Sequence, residues 1–295
     1  MKKIIITGST GFVGSNLAKF YLDKKKFKVH LIVRNNSDLS NIDSIKDLVE
    51  LFLYDGKLEN LIEFFQKVNP ETVFHLASNF IAEHKSNEID ALIHSNITFG
   101  LHILEAMKVS EVKKMINTGT SWQHFNNDEY NPVCLYAATK QSFEALIEYY
   151  VQAEDFKVIT LKLFDTYGET DTRPKLINLL NKFADEETEL NMSPGEQIIN
   201  LVHINDVCSA FDTAYKLLIS LKQPSHFKYA VASEKSYQLK EIIKIFESVS
   251  NKKINVIWGG KPYRNREVMT LWNKGKKLPN WEAKIELVEG FNRYK

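Results

Sequence analysis

Tyr136 and Lys140 stand four residues apart in Tyr136-Ala137-Ala138-Thr139-Lys140, the separation that puts two side chains on one face of a helix. A free tyrosine hydroxyl titrates near about pH 10, too high for easy proton transfer near neutrality. A lysine ammonium beside it, together with a cationic nicotinamide, favours the phenolate and brings the hydroxyl toward the working range. The pair therefore predicts a proton donor or acceptor serving a hydride transfer, with Lys140 also bonding the nicotinamide ribose. A further hydroxyl should orient the carbonyl or alcohol oxygen. The segment Asn117-Thr118-Gly119-Thr120-Ser121 offers candidates, of which Thr118 is the expected one.

A hydride needs a carrier, and the first strand runs straight into Thr7-Gly8-Ser9-Thr10-Gly11-Phe12-Val13-Gly14. Glycines at this spacing between a strand and a helix are a dinucleotide fingerprint. Gly8 permits the tight turn, Gly11 lets backbone approach a pyrophosphate, and Gly14 lets helix pack on strand. The N–H groups of the helix start, around Thr10, Phe12 and Val13, then meet the anion. At the end of the second strand, where a carboxylate would bind a ribose 2′-hydroxyl, stand Arg34 and Asn35. A guanidinium suits a 2′-phosphate, so NADP(H) is expected ahead of NAD(H), with stacking on the adenine as the plainer alternative for Arg34. Asp55 is placed to accept from the adenine amino group. Leu76, Ala77 and Ser78 would run beneath the cofactor, and Asn96 would hold a water or a backbone group near the active site. For each of these a purely structural role stays open.

These residues need a scaffold, and the pattern supplies one. Short β-branched runs at Lys3–Thr7, Lys28–Val33, Val49–Tyr54, Thr72–Leu76, Lys114–Thr118 and Phe156–Phe164 alternate with helical spacing at Gly14–Lys24, Lys57–Val68, Ile89–Val109 and Leu135–Ala153. Such alternation predicts an α/β fold, a Rossmann doubly wound parallel sheet with helices on both faces. Beyond Asp165 the pattern changes to short helices (Lys175–Ala184, Asn205–Leu221, Leu239–Val249) and isolated strands (Ile198–Val202, His226–Val231, Ile254–Trp258). The expected organisation is a cofactor domain over 1–165 and a smaller α+β substrate domain over 166–295, with strand or helix exchange between them.

Composition narrows the setting. A chain of 295 residues with 44% hydrophobic and 25% charged residues reads as a soluble globular protein. A net charge of +1, with no basic run longer than Lys24-Lys25-Lys26, argues against a nucleic-acid or membrane-surface partner. Cys134 and Cys208 lack metal-ligand spacing, so no metal is expected and a reducing, cytoplasmic setting is. The opening Met1–Ile6 run stops at Thr7-Gly8, too short for a signal peptide.

Taken together these motifs resemble the extended short-chain dehydrogenase/reductases, specifically the nucleotide-sugar epimerase/dehydratase family. The resemblance spans nearly the whole chain. It adds Leu163-Phe164-Asp165-Thr166-Tyr167-Gly168, Gly195-Glu196-Gln197, Val202–Val207 and Leu278-Pro279-Asn280-Trp281 to the motifs above. The chain looks most like the bacterial 4-ketoreductases that make CDP-abequose and CDP-paratose. That resemblance implies an NADPH-dependent reduction of a 4-keto-deoxy sugar on a nucleotide diphosphate, in surface polysaccharide or glycan precursor synthesis, by a homodimer joined through a four-helix bundle. It also implies that Thr120, Asp165, Arg264 and Arg266 face the substrate.

Three departures stand out. The dehydratases carry Thr-Asp-Glu where this chain reads Thr118-Gly119-Thr120, which removes the acid and base of 4,6-dehydration. An arginine usual near Ile199-Asn200-Leu201 is missing, and Tyr263-Arg264-Asn265-Arg266-Glu267 is the basic segment left to meet a diphosphate. Asp165 stands in place of the usual asparagine. A nucleotide-sugar 4-epimerase retaining NAD, a reductase of a non-sugar carbonyl, and a non-catalytic NADP-binding regulator are the competing readings. Trp122, His124 and Phe125 could line a pocket or fill a core.

Overall fold

The β-branched runs pair as one parallel sheet in a computed structural model that describes residues 1–294. Its strands are β1 (Lys2–Thr7), β2 (Phe27–Arg34), β3 (Glu50–Tyr54), β4 (Thr72–His75), β5 (Lys114–Thr120) and β6 (Lys157–Leu163). Then follow the short β7 (Asp165–Tyr167), β8 (Leu190–Met192), β9 (Ile198–Ile199) and β10 (Leu201–His203), the long β11 (Ser225–Val231), and the short β12 (Tyr237–Gln238) and β13 (Val256–Trp258). The seven-stranded sheet runs β11-β6-β5-β4-β1-β2-β3. Its order reverses between β1 and β4, the switch point at whose carboxyl edge doubly wound sheets bind ligands.

Helices cover both faces: α1 (Phe12–Asp23), α2 (Leu58–Val68), α3 (Ile89–Ile93), α4 (Phe99–Val109) and α5 (Leu135–Ala153), with α6 (Leu176–Glu186), α7 (Ile204–Ser220), α8 (Leu239–Ser250) and α9 (Leu287–Asn292) after them. Alternation along β1 divides the core. Ile4 and Ile6 pack with Leu17 and Tyr21 of α1 and Phe211 of α7. Ile5 faces the other way, toward Phe65 of α2, Leu104 of α4 and Phe143 of α5. Burial of both faces is why these strands read as continuous apolar runs.

A third core gathers Ile177 and Leu180 of α6, Ile242 and Phe246 of α8, and Phe291 of α9. The small parallel pairs β7–β10 and β8–β13 and the antiparallel pair β9–β12 join this region. Between α6 and α8 the chain returns to the large sheet through α7 and β11, so the layers around that sheet are built from two separate stretches.

The single strand expected over Ile198–Val202 is in fact two, because buried Asn200 interrupts it. The Asn200 amide donates to the Ser233 carbonyl at 2.9 Å and the Ser236 hydroxyl at 2.9 Å, and its Oδ1 accepts the Ser233 N–H at 2.8 Å. These bonds pull the chain out of register, so β9 pairs with β12 while β10 pairs with β7. Truncating Asn200 leaves the Ser233 N–H without its partner. Asn200→Ala should therefore cost about 1–3 kcal/mol of folding stability in a urea titration.

Candidate active site

The turn after β1 is dictated by backbone crowding. Gly8 has a φ of +68°, and a Cβ there would sit 2.6 Å from the Ala77 nitrogen at the end of β4. A Cβ on Gly14 would lie 2.2 Å from the Gly8 carbonyl oxygen. Gly11 is less confined, with 3.3 Å to the same oxygen. It precedes α1 without a side-chain cap, and the first turn of α1 holds no acidic residue. Free N–H groups and the positive end of the helix dipole thus face outward, which suits an anion. Thr7 ties the two strand ends together: its hydroxyl accepts the Ala77 N–H at 3.1 Å and bonds His75 Nδ1 at 3.0 Å. Burial and the Lys140 charge hold His75 down at about 3, so the ring is neutral there.

Across the switch point α5 brings Tyr136 and Lys140 against the ends of β4 and β5. The apolar face of α5, Phe143, Ile147 and Val151, is buried on the sheet, and this seats the two polar side chains inward as well. Burial pushes the Tyr136 hydroxyl up to about 12, against a weaker downward pull from a side-chain hydrogen bond with Ser78. Desolvation of the phenolate is the largest cause of this shift, and the Lys140 charge is not among the causes. Burial also lowers Lys140 to about 8, opposed by the Glu144 charge. The Thr118 hydroxyl lines the same cleft, buried and without a hydrogen-bond partner, and so is available to a ligand oxygen.

Asn96 sits in a π-helical turn, His94–Thr98, between α3 and α4, an irregularity often found at functional sites. Its amide donates to Thr139 Oγ1 at 2.9 Å and to the Asn79 carbonyl at 3.1 Å, and its Oδ1 accepts the Asn79 N–H at 2.6 Å. Both amide hydrogens are committed. Asn96 therefore clamps α5, one residue before Lys140, to the loop after β4; it holds backbone, as one of its expected roles had it, and has no hydrogen left for a cofactor.

The cleft has a volume of about 530 Å³ and runs from Gly8, Gly11, Phe12, Val13 and Gly14 past Leu76, Ser78, Thr118 and Tyr136 to Asp165, Lys175 and Arg264. Ala77 lies beneath it through its contact with Gly8. Asp165 is open to the cleft yet surrounded by protein. Its carboxyl is raised by desolvation, against the pull of Lys175, Arg264 and Arg173. Arg264 is held by Glu267 through a pair of bonds of 2.6 Å and 3.1 Å and lies 5.1 Å over the Trp122 ring. Phe80 packs edge-on to Tyr136 at 5.0 Å, with Lys175 Nζ 4.0 Å over its ring.

Some expected residues take other posts. Arg266 does not line the cleft itself; it bonds Asn131 and lies 4.2 Å over the ring of Phe125, which does. The Thr120 hydroxyl lines the cleft but accepts the Trp122 N–H at 3.2 Å, capping the turn that follows β5. Arg34 and Asn35 are exposed at the end of β2. Asp55 is exposed as well, accepting the Lys57 N–H at 3.0 Å and the Asn60 amide at 2.8 Å. The Thr10 carbonyl accepts from the Asn41 amide at 2.9 Å. Sequence reasoning passed over Phe80, Arg173, Lys175, Glu267 and Trp272, all of which line the cleft. Arg173-Pro174-Lys175, a basic step just before amphipathic α6, was the one available signal.

Comparison with known proteins follows from this geometry. The model of the NAD dependent epimerase/dehydratase family matches residues 4–229. CDP-abequose synthase of Yersinia pseudotuberculosis is 28% identical, covering 90% of this chain and 90% of its own. UDP-glucuronate 4-epimerase of Thermodesulfobacterium geofontis is 27% identical, covering 98% and 94%. Among solved structures, UDP-glucose-4-epimerase from Stenotrophomonas maltophila, with bound NAD and formylated UDP-arabinopyranose, superposes with a TM-score of 0.87 at 18% identity, over 100% of this chain and 97% of that one. At that identity it speaks for the fold alone.

The depressed Lys140 ammonium gives the site a pH signature. Its charge is complete well below about pH 8 and is lost as pH rises through that value. NADPH affinity, followed by nicotinamide fluorescence, should be level on the acid side and weaken above pH 8. Lys140→Met should flatten that limb.

Proposed function

We propose that this chain, which belongs to the NAD dependent epimerase/dehydratase family, uses NADPH to reduce the 4-keto group of a nucleotide-linked deoxy sugar. One observation carries the reading. A buried tyrosine and an unpartnered threonine hydroxyl line one cleft with the glycine turn. Tyr136 holds its proton until a carbonyl oxygen takes it, and because burial makes the hydroxyl a weaker acid, the phenolate left behind needs the Lys140 charge.

The residues present fit a dinucleotide. Gly8 and Gly14 leave no room for side chains where backbone must turn, and α1 begins uncapped. Arg34 would take the 2′-phosphate; among the described residues its guanidinium has no ion-pair partner. Bound NADPH supplies the hydride to the ketone carbon. Thr118 donates a hydrogen bond to the ketone oxygen and fixes its direction. Tyr136 transfers its proton to that oxygen, giving the alcohol, and the nearby Lys140 charge stabilises the phenolate left behind.

The walls around the acid favour a deoxy sugar. Phe80, Trp122 and Val133 line the cleft with Tyr136 and present carbon where a hydroxyl-rich ring would seek partners. Lys175 and Arg264 stand over two of these rings and suit a diphosphate. Elimination of water is disfavoured by position 119. Glycine there supplies no carboxylate, and a Cβ would lie 3.0 Å from side-chain atoms of Gln123, Lys162 and Thr160, which would have to shift to admit one.

The test mixes purified protein with NADPH or NADH and a panel of CDP-, dTDP-, UDP- and GDP-4-keto-6-deoxy sugars, following nicotinamide absorbance. NADPH should be consumed with at least one of them, faster than NADH. Interconversion of C4 epimers without net cofactor turnover would sink the reading. Tyr136→Phe should lower kcat at least about 100-fold, the lower end for loss of a general acid.

A further inference from the structure

Arg173, Lys175 and Arg264 all line the cleft, and each lies over an aromatic ring. The rings under Lys175 and Arg264, Phe80 and Trp122, are 5.5 Å apart, and Phe80 packs against Tyr136. Arg173 stands elsewhere, 4.5 Å over the ring of Phe12, the first residue of α1 after the glycine turn. It belongs to the loop 168–175 between β7 and α6, which is fastened along the start of α1. A Cβ on Gly168 would lie 3.4 Å from Phe12 Cζ. One helical turn further on, Asn16 and Thr170 exchange bonds of 2.9 Å and 3.1 Å. The guanidinium is held in one plane. Nε donates to Asp171 Oδ1 at 2.7 Å, and Nη2 donates to Asp171 Oδ2 at 2.7 Å and to the Thr166 carbonyl at 3.0 Å. Asp171 is buried, and both its oxygens are taken up by Arg173. Nη1 makes no hydrogen bond among the described residues, which leaves a fixed donor at the cleft wall.

We propose that Arg173 is a cofactor-binding residue: its unused Nη1 donates to the pyrophosphate of the dinucleotide received at the start of α1. The inference rests on the dinucleotide reading of the glycine turn and adds to it a side chain from the loop after β7. An uncapped helix start offers N–H groups and only about half a positive charge, less than a pyrophosphate carries in negative charge. Residues 12–15, the first turn of α1, include no lysine or arginine. Of the three cations lining the cleft, Arg173 is the one over that turn, whereas Lys175 and Arg264 stand with the rings beside Tyr136. A diphosphate on the sugar substrate presents the same chemistry, but those two cations are the ones at its end of the cleft. Because Asp171 offsets much of the guanidinium charge, Arg173 acts as a directed, charge-assisted donor rather than as a free ion.

Binding measurements test this without any sugar substrate. Parent and Arg173→Met would be titrated with NADPH by nicotinamide fluorescence, and with adenosine 2′-monophosphate, cytidine diphosphate and uridine diphosphate by calorimetry. Arg173→Met should weaken NADPH about tenfold, the order of one charge-assisted hydrogen bond. Adenosine 2′-monophosphate, which has no pyrophosphate, and the two nucleoside diphosphates should stay within about twofold of the parent. Arg173→Lys keeps a charge but not the fork, so it should weaken NADPH about threefold, and it carries the test if Arg173→Met does not fold. An equal loss for NADPH and adenosine 2′-monophosphate would make Arg173 a prop of the fold and overturn the inference. A loss confined to the nucleoside diphosphates would assign the residue to the substrate and overturn it as well. If the parent binds NADPH and both variants match it, the inference on Arg173 fails while the dinucleotide reading stands. If the parent binds neither NADPH nor NADH, that reading falls and the role of Arg173 falls with it.

Discussion

The fold turns on one steric constraint: three stretches of backbone meet where β1 ends. Gly8 presses on Leu76 and Ala77 at the end of β4, and Gly14 presses on the Gly8 carbonyl. No side chain fits at either contact, and the chain can pass only because both residues are glycine. That crossing brings α1 down onto the sheet at its switch point and leaves the uncapped helix start facing the cleft. Thr7, bonded to both His75 and Ala77, holds the two strand ends at the spacing the crossing needs. The position of β4 in turn sets the loop that carries Ser78 and Phe80 toward Tyr136.

Burial then decides the electrostatics of the opposite wall. The same packing of α5 that orders Tyr136 and Lys140 also removes them from water. It acts in opposite directions on the two: the phenol becomes harder to ionise and the ammonium easier to discharge. The first shift keeps Tyr136 protonated but makes it a weaker acid. The second leaves Lys140 close to discharge, opposed by the charge of Glu144.

Much of this was legible in the sequence because it is written in local periods. Strand alternation in β1 and helical spacing in α5 survive folding because both faces of the sheet are buried, and the contacts of Gly11 and Gly14 with Gly8 lie within the turn itself. What escaped depends on partners far along the chain. Asn200 breaks a strand through Ser233 and Ser236, and neither residue marks it in advance. Arg264 and Arg266 are two residues apart and look alike in sequence. One lines the cleft with Glu267 and Trp122, and the other bonds Asn131 and reaches the cleft only through the ring of Phe125. The burial of Tyr136 was hidden for a related reason: spacing names the neighbouring lysine, while the extent of burial belongs to the tertiary structure.

The chemistry proposed for the site follows from where hydrogen-bonding capacity is left over. Along β5 and its turn, Thr120 caps a backbone group, Gln123 bonds Glu144, and Asn117 donates to Thr160. The buried, unpartnered Thr118 hydroxyl lines the cleft beside the hydroxyl of Ser121. Free hydroxyls beside a protonated phenol can orient and protonate one oxygen. Elimination of water would in addition require an acid and a base at the end of β5, where no carboxylate stands. Gly119, hemmed in by Gln123, Lys162 and Thr160, is the position where such a group would have to be placed. The side chains packed around Gly119 thus leave the end of β5 to hydroxyls, and this is the local arrangement on which the proposed carbonyl reduction rests.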